Sequence, residues 1–153
     1  MTEQPRTGAQ RKADTLSKLE AVNADGWVAT ASSAGAAHLV PLSYAWHRER
    51  VVLAAEAESV TVRNLRESGR ARLGLGPTRD VVIIDATLDR FVGVTDSAAR
   101  DVAVAYARQA DWDPRLDPGS YVFVLLRLQR VQAWRESNEL SGKLLMRDGA
   151  WLF

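Results

Sequence analysis

The polarity of the chain changes its period twice between residues 38 and 65, and the other elements read around that stretch. From His38 to Trp46 it alternates, with Val40, Leu42, Tyr44 and Trp46 on one face and Pro41, Ser43 and His47 on the other, the period of a half-buried strand. His47-Arg48-Glu49-Arg50 is a short polar connector, and the apolar run Val51–Ala55 predicts a second strand pairing back on the first. Pro41 cannot donate to a ladder, so it marks an edge, a bulge, or a place where the ladder opens towards a ligand. Ser59 stands where a helix N-cap belongs, before a segment in which Val60, Asn64 and Leu65 share a face and which Gly69 ends.

Elsewhere the same rules predict simpler pieces. Residues 1–9 hold Pro5 and Gly8 and little that packs, the pattern of a mobile tail. A helix is expected from Gln10 to Ala24, with Leu16, Leu19 and Val22 as its stripe and Asp25-Gly26 as its stop. Trp27–Ala31 reads as a strand, Ser33-Ala34-Gly35 as a turn, and Ala71–Gly76 as a strand broken by Pro77-Thr78. Val81–Val94 is the longest strand candidate, expected to be central and, at Val81–Ile84, buried on both faces. Thr95-Asp96-Ser97 caps a helix over Ala98–Gln109 with Val102, Ala103 and Tyr106 inward, and 111–119 is loop. Tyr121–Val131 is a strongly apolar strand running on to Trp134, and Leu144–Phe153 a last hairpin turning at Asp148-Gly149. The expected fold is mainly β with peripheral helices: an antiparallel split β-barrel of six to seven strands, one domain over residues 10–153.

Composition narrows the chemistry. At 153 residues, 46% hydrophobic and 25% charged, the chain has the make-up of one globular domain. Twenty basic residues against 19 acidic ones leave +1, so no global field recruits nucleic acid or an anionic membrane. Cysteine is absent, which removes disulfides, thiolate nucleophiles and thiolate metal sites, so redox chemistry would need a bound cofactor. The first nine residues carry no apolar signal region and no stretch reaches about 18 apolar residues, so the cytoplasm is the expected compartment.

Most local motifs dissolve on inspection. His38 and His47 have opposite parity and stand roughly 30 Å apart along one strand, so they cannot share an ion, and no metal is expected. Asp111, Asp113 and Asp117 are interrupted by Pro114 and Pro118 and lack the glycine and distal glutamate of a calcium loop; they read as turn residues. Gly74-Leu75-Gly76 has Arg79 where a dinucleotide fingerprint needs its third glycine. Arg63, Arg66, Arg70, Arg72 and Arg79 form a basic run, but helix and strand geometry scatter it over several faces, and no nucleic-acid partner is expected. No Ser, His and acid arrangement has a hydrolytic context. What stands is the start of the Ser59 helix, whose free amides, hydroxyls and Arg63 could hold a phosphate, against the plainer reading of a capped surface helix.

Taken together, Trp27-Val28-Ala29-Thr30, His38-Leu39-Val40-Pro41-Leu42-Ser43, Val52–Glu56, Ser59-Val60-Thr61-Val62-Arg63-Asn64-Leu65 and Arg72-Leu73-Gly74-Leu75-Gly76 resemble the pyridoxamine-phosphate-oxidase-like, FMN-binding split barrels. The resemblance implies a homodimer with a flavin in each of two interface clefts. It implies cofactor contacts from Val40, Pro41, Leu42 and Ser43 along the ring, from Ala55 and Glu56 at the next strand end, and from Ser59, Thr61, Arg63 and Asn64 at the phosphate. Trp134 is similar to a cofactor-site tryptophan of the vitamin B6 oxidases, but the Arg-Leu-His motif that follows it there is absent from Arg135-Glu136-Ser137-Asn138, which argues against pyridoxamine phosphate as substrate. Many relatives carry lysine where Thr61 stands, so Arg63 must do more. The implied function is an FMN-dependent oxidoreductase acting on an unidentified small molecule. A deazaflavin-dependent reductase of the same superfamily and a non-catalytic flavin-binding or sensing barrel are the alternatives.

Overall fold

The structure is a computed structural model that describes residues 3–117 and 119–153. Eight antiparallel strands form one sheet: β1 (Asp25–Ala31), β2 (Ala37–His47), β3 (Arg50–Glu56), β4 (Arg70–Leu75), β5 (Val81–Gly93), β6 (Tyr121–Trp134), β7 (Leu144–Arg147) and β8 (Ala150–Trp151). Their order is β3-β2-β1-β4-β5-β6-β7-β8, and pairing of β3 with β6 closes the first six into a barrel, leaving β7 and β8 outside it. The expected architecture holds, with one short strand more than the pattern resolved. Pro118, in the loop before β6, lies outside the described residues, as do Met1 and Thr2.

Alternation explains what fills the barrel. Val28, Leu53, Leu73, Leu75, Ile84, Val124, Leu126 and Val131 point inward and are all but fully buried. A second core lies on the outside of the barrel wall, where Ala45, Val52, Ala54, Phe123 and Leu125 are covered by Val102, Ala103 and Tyr106 of α3 (Arg100–Gln109). Val51–Ala55 is therefore a continuous apolar run because both faces of β3 are covered. β5 does lie between two strands, but Val81–Ile84 is not buried on both faces: Val82 and Ile84 point inward, while Val81 and Ile83 are half-buried on the outer wall.

Helix α1 spans Gly8–Glu20, capped by Thr7 in a reciprocal pair with Gln10. It stops four residues before the expected end because Asn23 turns the chain at φ 55, leaving Val22 68% exposed, and Asp25-Gly26 opens β1 instead of closing the helix. Arg6, from the stretch read as a tail, is held by Glu139 and Asp14. Arg11 reaches the carbonyls of Ala133 and Glu139. Helix α2 (Val60–Ser68) begins at Ser59 and ends on Gly69 at φ 67, as the pattern predicts.

Candidate cofactor site

The site begins with a strand that changes partner. Residues Ala37–Ser43 of β2 pair with β1, whereas Tyr44–His47 pair with β3. At the same corner Ala54, Ala55 and Glu56 of β3 pair only with Phe123, Val122 and Tyr121 of β6. Two strand edges thus diverge with no ladder between them, and Pro41, which has no amide to offer one, stands on the first. Of the three readings open for Pro41, the structure shows the edge: it pairs with Trp27 of β1 and has no strand on its other side.

Helix α2 lies beside this split. Asn64 donates through its side-chain nitrogen to Thr30 Oγ1 at 3.0 Å, both residues buried, and so pins the helix onto β1. The Ser59 hydroxyl accepts from the Val62 amide at 3.3 Å, and the Glu56 carbonyl accepts from the Ser59 amide at 3.0 Å. The amides of Val60 and Thr61 find no acceptor among the described residues, leaving the positive end of the helix free at the split. Arg63 is exposed and has no ion pair or side-chain hydrogen bond among the described residues.

The candidate residues divide into three sets. Pro41 is exposed, Val40, Leu42 and Ser43 are half-buried on the open edge, and Glu56, Ser59 and Arg63 gather at the strand end and helix start. Ala55 is buried in the barrel, so only its backbone faces the split, and Thr61 is 3% exposed with its side chain turned inward. Asn64 is spent on Thr30, and the Ser43 hydroxyl on Asp25 at 2.8 Å. Trp134 lies at the opposite end of β6 from Tyr121, the partner of Glu56, about 40 Å away along the strand, so one chain cannot bring it to the split. Its ring lies under the Lys143 ammonium, 5.2 Å away.

Two features escaped the sequence reading. Tyr106, 1% exposed, places its hydroxyl 3.5 Å from the Ser43 carbonyl, and burial pushes that phenol up to about 12, so it stays a neutral donor at the corner of the split. Trp112 stands edge-on to both Tyr106 and Tyr121, making an aromatic wall behind the end of β3. The other feature is an uncovered apolar face. Trp27 (54% exposed) lies opposite Pro41 and Gly74 on the outer wall, beside Leu39 and Ile83. Trp46 packs against the barrel core, and the parity of Trp27 against Val28 and Thr30 is the sequence signal that marks the exposed ring.

The remaining expectations resolve locally. His38 and His47 stand at opposite ends of β2, with opposite parity. Asp113 caps a helical turn and clasps Arg115, and Asp117 accepts from the Gly119 amide, so both are turn residues. The arginine run does scatter, with Arg79 on Glu136 and Arg72 on Asp85. Arg66 is not simply solvated: it donates to the Ala57 carbonyl and lies 5.6 Å from the Phe91 ring.

No family model and no curated protein matches the sequence. Solved structures do match in shape. An F420 reductase superposes with a TM-score of 0.60 at 13% identity over 75% of this chain and 94% of its own. A conserved hypothetical protein from Mycobacterium tuberculosis gives 0.65 at 19% identity over 90% of this chain and 92% of its own. A heme binding protein from Mycobacterium smegmatis gives 0.67 at 16% identity over 94% of this chain, which spans 58% of that protein. At these identities the likeness shows the fold alone, an antiparallel barrel shared with these proteins.

Proposed function

We propose that the chain is a cofactor-dependent oxidoreductase that holds FMN, or alternatively a deazaflavin coenzyme, along the split and acts on a small molecule. The observation that carries this reading is the open edge of β2 from Ala37 to Ser43 beside the free amides that start α2. The donor set fits a flavin phosphate: two amides, the Ser59 hydroxyl and the unpaired Arg63 converge on one helix start. A bound flavin or deazaflavin would supply hydride transfer, and the protein's part is position and electrostatics. The backbone of Pro41–Ser43 orients the ring, Tyr106 steadies the Ser43 carbonyl, and the aromatic wall behind β3 restricts water.

The same reading makes the protein a two-fold homodimer. The Trp27, Leu39 and Ile83 face is apolar and uncovered, and Trp134 can reach a split only in a second copy. Light scattering is expected to give twice 16.8 kDa, and Trp27→Glu to shift it to the single mass. The decisive experiment is the absorbance spectrum of freshly purified protein, followed by titration with FMN and with deazaflavin. A colourless protein that takes up neither would sink the oxidoreductase reading.

A heme-binding role is the second reading, favoured by the heme-binding protein among the structural matches and by half-buried His38 on the open half of β2. It predicts a Soret band on heme addition that His38→Ala abolishes.

A further inference from the structure

The far end of β2 holds a second polar cavity that the cofactor reading does not use. The turn from β2 into β3 is made by Arg48 and Glu49, both at positive φ, and His47 and Arg50 pair across it. Beneath the first turn of α3 this hairpin encloses a cavity of about 220 Å³ lined by His47, Arg48, Arg50, Asp89, Arg90 and Asp101, with Ala98, Val102 and Leu125 as its apolar floor. It lies nine residues along β2 from His38, roughly 30 Å, and four residues from Ser43, the near end of the split, roughly 13 Å.

We propose that this cavity binds a small oxyanion of the phosphate type. His47 Nε2 is the one buried side-chain polar atom among the described residues that has no hydrogen-bond partner, and such an atom is costly unless something in the cavity meets it. The charges around it are unequal. Asp89, the extra residue of a bulge in β5, is shared by Arg50 at 3.2 Å and Arg127 at 2.7 Å, and Asp101 is paired with Arg48 at 3.5 Å. Arg90 has no partner among the described residues, so the lining keeps a free guanidinium beside an unpaired ring nitrogen. Arg90 is exposed at the cavity mouth, so its guanidinium is available to an anion entering from solvent.

The surrounding wall strengthens the field. Arg70, Thr87, Arg127 and Arg50 stand in register across β4, β5, β6 and β3, and Arg72, Asp85 and Arg130 form the next row. Six outward arginines, counting Arg90, stand with Asp85, Asp89 and Glu67, and the net positive wall draws anions towards the cavity. The volume admits one oxyanion with a few waters and is below that of pockets for nucleotides or flavins.

The test is a titration of the intact protein, with its imidazoles labelled by nitrogen-15, against inorganic phosphate at constant pH and ionic strength. The expected result is a saturable shift of the His47 ring nitrogens, weakened about tenfold or more in Arg90→Ala and unchanged in Arg63→Ala. His38 reports the split separately, so a response there says nothing of this cavity, and loss of the flavin reading would leave the His47 response intact. If His47 does not respond, or responds equally in Arg90→Ala, the cavity holds water and the proposal is overturned.

Discussion

The two halves of β2 meet the same problem in opposite ways. A strand that leaves β1 for β3 exposes an edge on each side of the crossing point. In the second half the chain supplies its own partners: Gln109 accepts from the Trp46 amide at 2.9 Å while donating to the carbonyls of Leu19 and Ala21, and the Tyr44 hydroxyl donates to the Lys18 carbonyl at 2.6 Å. The first half has no such filling, and Pro41 removes a donor that would have needed one. Backbone polar groups require partners, and the half that the chain leaves unfilled is the edge along which the proposed cofactor would lie. The same contrast separates the charges: Arg6 is locked into a clamp with Glu139 that ties the start of α1 to the turn after β6, while Arg63 at the split has no partner among the described residues.

The clamp offers the largest way to break this contrast. Glu139 accepts from the Arg6 amide, Nε and guanidinium and from the Arg135 amide, and the hydrogen bond from Arg6, opposed by burial, holds its carboxyl down at about 2. A depressed folded-state value stabilises above the ordinary carboxylate range and is lost as the pH falls through the folded value. Between pH of about 4.5 and 2 the protein should therefore lose about 3 kcal/mol through this group. Urea unfolding of Glu139→Gln should show a loss of about 3 kcal/mol at pH 7, from a part-buried Arg6 left with Asp14 and Asp80, and a flatter acid limb. Equal acid limbs in both proteins would discard the clamp.

At the open half, Arg63→Ala is expected to weaken FMN or deazaflavin binding roughly ten- to a hundredfold, about 1.5–3 kcal/mol, without moving the apo melting temperature. Arg108→Ala, exposed on α3, is the fair control, because Arg66 holds Ala57 and Phe91. Unchanged affinity in Arg63→Ala would remove the phosphate assignment. Gln109→Ala should do the reverse, costing about 2 kcal/mol of stability in thermal melts by stranding the Trp46 amide and two carbonyls, with cofactor affinity kept. The smallest effect is expected for Thr61→Lys. The resemblance to lysine-bearing relatives favours tighter binding, but Thr61 is 3% exposed, so the longer side chain should cost about 1 kcal/mol in the apo protein. A melting temperature equal to wild type would show that the helix start yields more easily than its packing implies.

Local order was legible in the residues. Alternation placed the strands, Ser59 and Gly69 bounded α2, and Val102, Ala103 and Tyr106 named the buried face of α3. These succeed because period and capping are decided within a few residues of backbone. Where they failed, a longer-range contact overruled them: Asn23 ends α1 early, with its amide on the Gln109 carbonyl.

What the sequence by itself determined, then, was the set of elements and the cluster Pro41–Ser43, Ser59 and Arg63. Only the tertiary structure decided that β2 changes partner at Ser43, that Asn64 is a strut and Thr61 is enclosed, that Trp134 stands apart from the split, and that His47 and Arg90 line one cavity. The physical reason is register: which residues share a wall of a closed barrel depends on how strands far apart in sequence are offset, and no local pattern records that offset.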